Sequence, residues 1–225
     1  MRESLGAVAF DLDGTLYPNY RFYRRLVSFA FKETRLLLAF SKARAKLHAA
    51  ADTCQNAGDF YELQAEIMAK FLKEEPARVR EKTEERIYRG WEPLFRTIKL
   101  FARVKECLTA LRDAGLKLGL LSDFPPKRKL NYLGLDGFFD AVLCSEDSGM
   151  LKPAPAPFLE LAKALDQAPS RILYVGNSVS YDILGARGAG MKTALIRAPW
   201  QSRRGKAGAD LVFSDYRTLR NFVLS

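Results

Sequence analysis

Val8-Ala9-Phe10-Asp11-Leu12-Asp13-Gly14-Thr15-Leu16 is an apolar run that meets two acids, a glycine and a threonine. It reads as a buried strand that stops in a polar turn. Side chains two apart on an extended chain share a face, so Asp11 and Asp13 can converge if the extended geometry persists that far. Gly14 lets the backbone turn sharply and come close to a ligand. Two neighbouring carboxylates repel unless a cation neutralises them or they share a proton. The pair therefore points to a metal or to acid–base chemistry, with a plain Asp/Gly turn as the other reading.

Working outward, residues 20–95 carry hardly a strand signal. Phe22, Leu26, Phe29 and Ala30 fall at helical spacing, and Leu36, Leu37 and Phe40 continue an apolar face. The breadth of the apolar stretch around Phe29, Phe31, Leu36, Leu37 and Leu38 fits packing within a helical unit or contact with a second subunit. Phe60, Leu63, Ile67 and Phe71 make a second periodic stretch, and Pro76 opens a third. From Lys105 the pattern alternates, with apolar strands predicted at 116–121, 141–144, 172–175, 193–196 and 211–213 and helices between them. That alternation predicts an α/β fold with a Rossmann-like three-layer core and a parallel sheet, plus an inserted helical cap. The expected division is 1–16 and 99–225 for the core and 17–98 for the cap. Ligands bind outside the carboxyl ends of such strands, which gathers Asp11, Asp13, Ser122, Lys152, Asn177 and Asp182 in one place.

The 225 residues suffice for one core with an insertion, and 48% hydrophobic with 28% charged residues are the proportions of a soluble globular protein. No apolar run has the length of a bilayer span, and acids follow the short run at 5–10, unlike a signal peptide; the expectation is a cytoplasmic protein without a membrane span. Cys54, Cys107 and Cys144 are widely spaced, which suggests neither a disulfide framework nor a zinc site. His48, the only histidine, lies in a basic helical stretch and reads as a surface side chain. A formal charge of +10 favours anionic partners. It comes from scattered residues with small clusters at Arg24-Arg25 and Arg203-Arg204 and without a nucleic-acid module, which reads as a solvated basic surface and makes nucleic acid an unlikely partner.

Taken in order, Asp11-Leu12-Asp13-Gly14-Thr15-Leu16, Ser122 after a strand, Lys152-Pro153 before a helix, and Gly176-Asn177-Ser178 with Asp182 resemble the four motifs of the haloacid dehalogenase-like (HAD) hydrolase superfamily. The helical insertion resembles its C1 type of cap, as in phosphoglycolate phosphatase-like members. The resemblance implies a phosphatase that acts on a small phosphorylated metabolite. Asp11 would be the nucleophile that forms an aspartyl-phosphate, and Asp13 the acid and then the base. Lys152 would supply positive charge, and Ser122 with the Thr15 and Asp123 backbone would donate hydrogen bonds to the phosphate. Mg²⁺ would be held by Asp11, the Asp13 carbonyl and Asn177 or Asp182. Asn177 departs from the family pattern, where an aspartate usually follows the glycine, and removes one negative charge from that position.

The resemblance leaves other readings open. Dehalogenases of the same superfamily share the nucleophile but typically lack the second aspartate, so Asp13 argues for phosphate. A phosphomutase would pass the phosphoryl group to another hydroxyl, and a non-catalytic phosphate-binding protein would keep the site without turnover. Glu146 and Asp147 read as loop acids, either of which could steady Lys152. Tyr17, Tyr20, Arg21, Arg24 and Arg25 follow the turn closely enough for some to enter a cleft. The chain is expected to be a monomer or a homodimer.

Overall fold

The computed structural model describes residues 5–49, 57–198 and 208–225. Cys54 and the Arg203-Arg204 pair lie outside them. Six strands form one parallel sheet: β1 (Ala7–Phe10), β2 (Lys117–Ser122), β3 (Ala141–Cys144), β4 (Ile172–Gly176), β5 (Lys192–Ile196) and β6 (Leu211–Phe213). Their spatial order is β3-β2-β1-β4-β5-β6. β1 is flanked by β2 and β4, with Phe10 opposite Leu120 on one side and Val175 on the other. The strand order reverses at this point, which opens a crevice at the carboxyl ends.

Each strand is apolar because both faces of the sheet are covered. Val8 and Phe10 face a layer built from α5 (Val104–Asp113), which presents Leu108 and Leu111, and from α9 (Tyr216–Leu224), which presents Leu219. Ala7 and Ala9 face α7 (Pro155–Ala164), which presents Phe158 and Leu161, and α8 (Leu184–Gly188) with Ala186. The second face is small-featured for a reason. A Cβ on Gly119 would come within 2.8 Å of Leu165 Cδ1, so its absence lets α7 lie close to the sheet. Phe158 is fully buried there and packs edge-on against Tyr174 with ring centroids 4.9 Å apart.

Between β1 and β2 come only helical elements: α1 (Asn19–Lys32), α2 (Thr34–Ala49), α3 (Ala57–Leu72) and α4 (Pro76–Thr83), continued by a π-helical stretch Glu84–Arg89 and a 3₁₀ turn Glu92–Thr97. The apolar face predicted on α2 is real: Leu36, Phe40 and Ala43 pack with Met68, Leu72, Val79 and Ile87 into a separate helical core. Phe29 packs against this core, whereas Phe31 is 84% exposed and Leu38 half exposed. Arg21 and Arg25 donate to the carbonyls of Lys99 and Thr97, tying α1 to the segment that returns to the sheet. Among the described residues no helix is long and apolar enough to cross a membrane. Cys107 and Cys144 are buried free thiols.

A buried ion pair fastens the insertion to the core. Arg44 of α2 donates through Nη1 to Glu146 and through Nη2 to the Asp123 carbonyl at 2.7 Å, with its guanidinium carbon 4.4 Å from the centre of the Phe124 ring. Glu146 also accepts from Tyr61 at 2.9 Å and Tyr88 at 3.0 Å. Burial pushes its carboxyl up, and Arg44 works against that rise. The expectation for Glu146 is thereby corrected. It is a fully buried acceptor for the helical insertion, Lys152 donates instead to Asp11 and Asp182, and Asp147 is exposed. Burying a carboxylate is tolerable only with charged and hydrogen-bonding partners, which is what Arg44, Tyr61 and Tyr88 supply.

Two stability measurements follow from this packing. Arg44→Met strands a buried carboxylate and is expected to cost about 3–5 kcal/mol in urea unfolding, while the double variant Arg44→Met/Glu146→Leu recovers part of the loss. Phe158→Ala opens a cavity under the sheet and is expected to cost about 3–5 kcal/mol in the same assay.

Candidate active site

The site grows from the abrupt end of β1. Extended geometry stops at Phe10, and the following residues turn: Thr15 and Leu16 both donate to the Leu12 carbonyl, and Gly14 takes a φ of 91°. At that φ a side chain is strained, and a Cβ on Gly14 would also collide with the side-chain amides of Asn177 and Asn19. Asp11 and Asp13 are thus positioned by a tight turn, with different partners, and do not sit side by side on a strand.

Asp11 accepts from Thr15 Oγ1 at 2.8 Å and from Lys152 Nζ at 2.7 Å. Lys152, 3% exposed, donates a second bond of 2.7 Å to Asp182 Oδ1 and lies 3.4 Å from the Tyr174 hydroxyl. The other Asp182 oxygen accepts the backbone N–H of Asn177 and of Ser178, at 3.1 and 2.9 Å. Both Asp182 oxygens are engaged by the chain itself, and the loop after β4 is shaped around them. Burial raises the Asp11 carboxyl to about 7, Lys152 pulls it down, and the charges of Asp182 and Asp13 add to the rise. Burial would lower the Lys152 ammonium, but Asp11 and Asp182 hold it well above its ordinary value.

Asp13 has its own cation. Lys129 of α6 (Lys127–Leu133) donates to both of its oxygens, at 3.0 and 2.8 Å, and Tyr17 donates to Oδ1. Ser122, buried at the end of β2, lies 3.4 Å from Oδ2 and accepts the Phe124 N–H at 3.2 Å. Burial pushes Asp13 up, but Lys129, Tyr17 and Lys152 together outweigh it and hold the group below its ordinary value. Lys129 is the main residue that sequence reasoning missed. Lys127 and Arg128 beside it are exposed, and the sequence signal lay in helical phase: Lys129 adjoins Leu130 and Leu133 on the inward face.

Asp123 turns its carbonyl to Arg44, while its carboxylate accepts from Ser145 and from the Lys152 N–H at 3.2 Å. The expectation that His48 is a surface side chain is overturned. Its ring stacks on Tyr181 with centroids 4.3 Å apart, and Nδ1 lies 2.6 Å from the Lys152 carbonyl. A carbonyl only accepts, so Nδ1 carries the proton. Burial lowers the His48 pKa. Of the residues soon after the turn, Tyr17 enters the site, whereas Tyr20 is 57% exposed and Arg24 lies on the surface.

For a divalent cation the donors at hand are oxygens: the Asp11 carboxylate and the side-chain amide of Asn177, which abuts Gly14, together with the Asp13 carbonyl that the resemblance implies. All-oxygen donors suit a hard ion, and the three carboxylates Asp11, Asp13 and Asp182 face only the two lysines Lys129 and Lys152. The set fits Mg²⁺ in kind but is lean in charge. Among the described residues no three His, Cys, Asp or Glu side chains are grouped to hold a metal.

A cavity of about 590 Å³ opens between the helical insertion and the core, with Asp13 and Lys129 on its wall. Tyr17, Phe22, Phe40, Trp91, Phe95 and Phe124 line it.

Comparison with known proteins agrees with this geometry. Glyceraldehyde 3-phosphate phosphatase of Methanopyrus kandleri is 31% identical over 206 residues, 85% of this chain and 83% of that one. Phosphoglycolate phosphatase of Aquifex aeolicus is 34% identical over 100 residues, which is 43% of this chain and 46% of the relative, so that likeness spans less than half of either. The fold matches that of the putative HAD-hydrolase YfnB from Bacillus subtilis, solved bound to magnesium, with a TM-score of 0.69 over 99% of this chain and 100% of that one at 15% identity. A model of the haloacid dehalogenase-like hydrolases matches residues 5–190, and with the four motifs converging on one crevice the chain belongs to that family.

Proposed function

We propose that this protein is a Mg²⁺-dependent phosphatase that hydrolyses a small phosphorylated metabolite through an aspartyl-phosphate on Asp11, with residues 17–98 as its cap. The observation that carries the reading is the separation of the two aspartates. Asp11 is held by Lys152 and Thr15, while Asp13 is held by Lys129 and Tyr17. Each carboxylate thus has its own cation and hydroxyl partner, which allows different roles, Asp11 as the nucleophile and Asp13 as the proton carrier. A dehalogenase has no need of that second group. The names of the relatives support phosphate as the group transferred.

In the first half-reaction an Asp11 oxygen attacks phosphorus, the phosphorus–oxygen bond to the alcohol breaks, and Asp13 gives its proton to the departing oxygen. Lys129 stabilises the Asp13 carboxylate left behind, which makes Asp13 a stronger acid. In the second half Asp13 takes a proton from water as the water oxygen attacks the same phosphorus, and Asp11 is released. Ser122 and the backbone N–H groups after β1 and β2 suit hydrogen bonds to the phosphoryl oxygens, whose charge is largest in flight. Lys152 adds positive charge beside the nucleophile, and Asp182 keeps it aimed. Mg²⁺ would be held by Asp11, the Asp13 carbonyl and Asn177, with Asp182 acting on that site through the loop amides it binds; the bound ion would neutralise phosphoryl charge.

Phosphate release from p-nitrophenyl phosphate, with and without Mg²⁺, tests the assignment: turnover needs the metal and falls to background in Asp11→Asn. Equal turnover in that variant would remove Asp11 from the nucleophile role. Asn177→Asp adds a carboxylate to the donor set and is expected to tighten Mg²⁺ binding in calorimetric titration; unchanged affinity would take residue 177 out of that set. Lys129→Met removes the cation bonded to both Asp13 oxygens, so the pKa of Asp13 is expected to rise, read as a shift in the pH dependence of kcat/KM for an alkyl phosphate; an unchanged profile would take Asp13 out of the proton transfer.

A further inference from the structure

The cavity beyond Asp13 is unlike a pocket for a two- or three-carbon acid phosphate. At about 590 Å³ it falls within the range of sites that enclose ligands well beyond that size. Its walls are aromatic. Phe22 stacks on Phe95 with centroids 5.2 Å apart, Trp91 meets Phe22 at 5.5 Å and Phe40 at 5.9 Å, and Phe40 meets Phe124 at 6.1 Å. The rings hold one another in place, so the surface they offer is preformed.

The cations on this wall are already matched. Arg44 is bonded to Glu146 and the Asp123 carbonyl, Lys129 to Asp13, and Arg89 at 2.9 Å to Glu84. His48 points its Nδ1 at the Lys152 carbonyl. A substrate with a second anionic group, such as a carboxylate or another phosphate, would have to draw on Arg44, stranding the buried Glu146, on Lys129, which Asp13 already holds, or on Arg89, whose side chain is 71% exposed and already screened by water. A flat ring breaks nothing and gains aromatic contact on removal from water.

We infer that the preferred substrate is a phosphomonoester of an alcohol carrying an aromatic ring, with the phosphate at Asp11 and the ring against Phe22, Trp91 and Phe124, which the buried Phe40 and Phe95 hold in place. This rests on the phosphatase reading for its chemistry, but the ring site stands on the cavity itself. The bond broken is still the ester phosphorus–oxygen bond, and the proton from Asp13 goes to the aryl-bearing alcohol.

The comparison must hold leaving-group basicity constant, so 2-phenylethyl phosphate is set against ethyl phosphate. The ratio of their kcat/KM values is expected to be about 30 or more. Phe22→Leu keeps the apolar volume but removes a ring face and should lower that ratio several-fold; using the ratio cancels any general loss of folded enzyme. Calorimetric binding of the non-hydrolysable 2-phenylethylphosphonate and ethylphosphonate gives a second measure that does not need turnover. Tighter binding of the ring compound with neither ester hydrolysed would support the ring site and count against the phosphatase reading alone. Ratios near one in both turnover and binding would overturn the inference, as would a higher kcat/KM for phosphoglycolate than for 2-phenylethyl phosphate.

Discussion

An ammonium group with almost no access to water lies between two carboxylates, and the arrangement of the sheet ends depends on it. Lys152 can be buried because Asp11 and Asp182 each reach it at 2.7 Å. Removing one partner from such a group leaves an uncompensated charge in a dry interior, which is among the costlier defects a protein can carry. The three residues come from the ends of three different strands: Asp11 follows β1, Lys152 follows β3 and Asp182 follows β4. Their meeting therefore ties together the carboxyl edge of the sheet. Asp182 extends the constraint by binding the amides of Asn177 and Ser178, so the loop that brings Asn177 against Gly14 is shaped by the same charge.

Asp13 and Lys129 form a second, parallel arrangement a few residues away. Keeping the two pairs separate lets neighbouring carboxylates in one crevice have different environments. Asp11 is raised by burial and by its acidic neighbours, while Asp13 is held down by the lysine and tyrosine it alone contacts.

Strand positions were legible because residues buried on both faces must be apolar, so the runs from β1 to β6 stand out between charged helices. The crevice was legible by topology, since ligands collect where parallel strands end. What stayed hidden were charged residues whose burial depends on a distant partner. Arg44 lies on α2 beside Ala43 and Leu47, on the inward face, but Glu146, which makes that burial tolerable, is 102 positions away. Lys129 is hidden in the same way, one base in a run of three, with Asp13 116 positions off. His48 was misread because its neighbours are basic, while the ring itself turns to Tyr181. The two-residue spacing of Asp11 and Asp13 does not act through extended geometry, because the strand ends at Phe10 and a turn does the positioning.

The Tyr216 hydroxyl donates to the Thr15 carbonyl at 2.6 Å across 201 residues of sequence. Thr15 also binds Asp11, so a residue at the start of the last helix braces the first turn of the chain. During synthesis Asp11 is made well before its supports, for β1 has no strand partner until residue 117 and lacks β4 until residue 172. The brace from Tyr216 comes later still. Contacts of such long separation carry a large loop-closure cost and form late. The nascent chain therefore carries Asp11 and Asp13 long before the contacts that hold them can form.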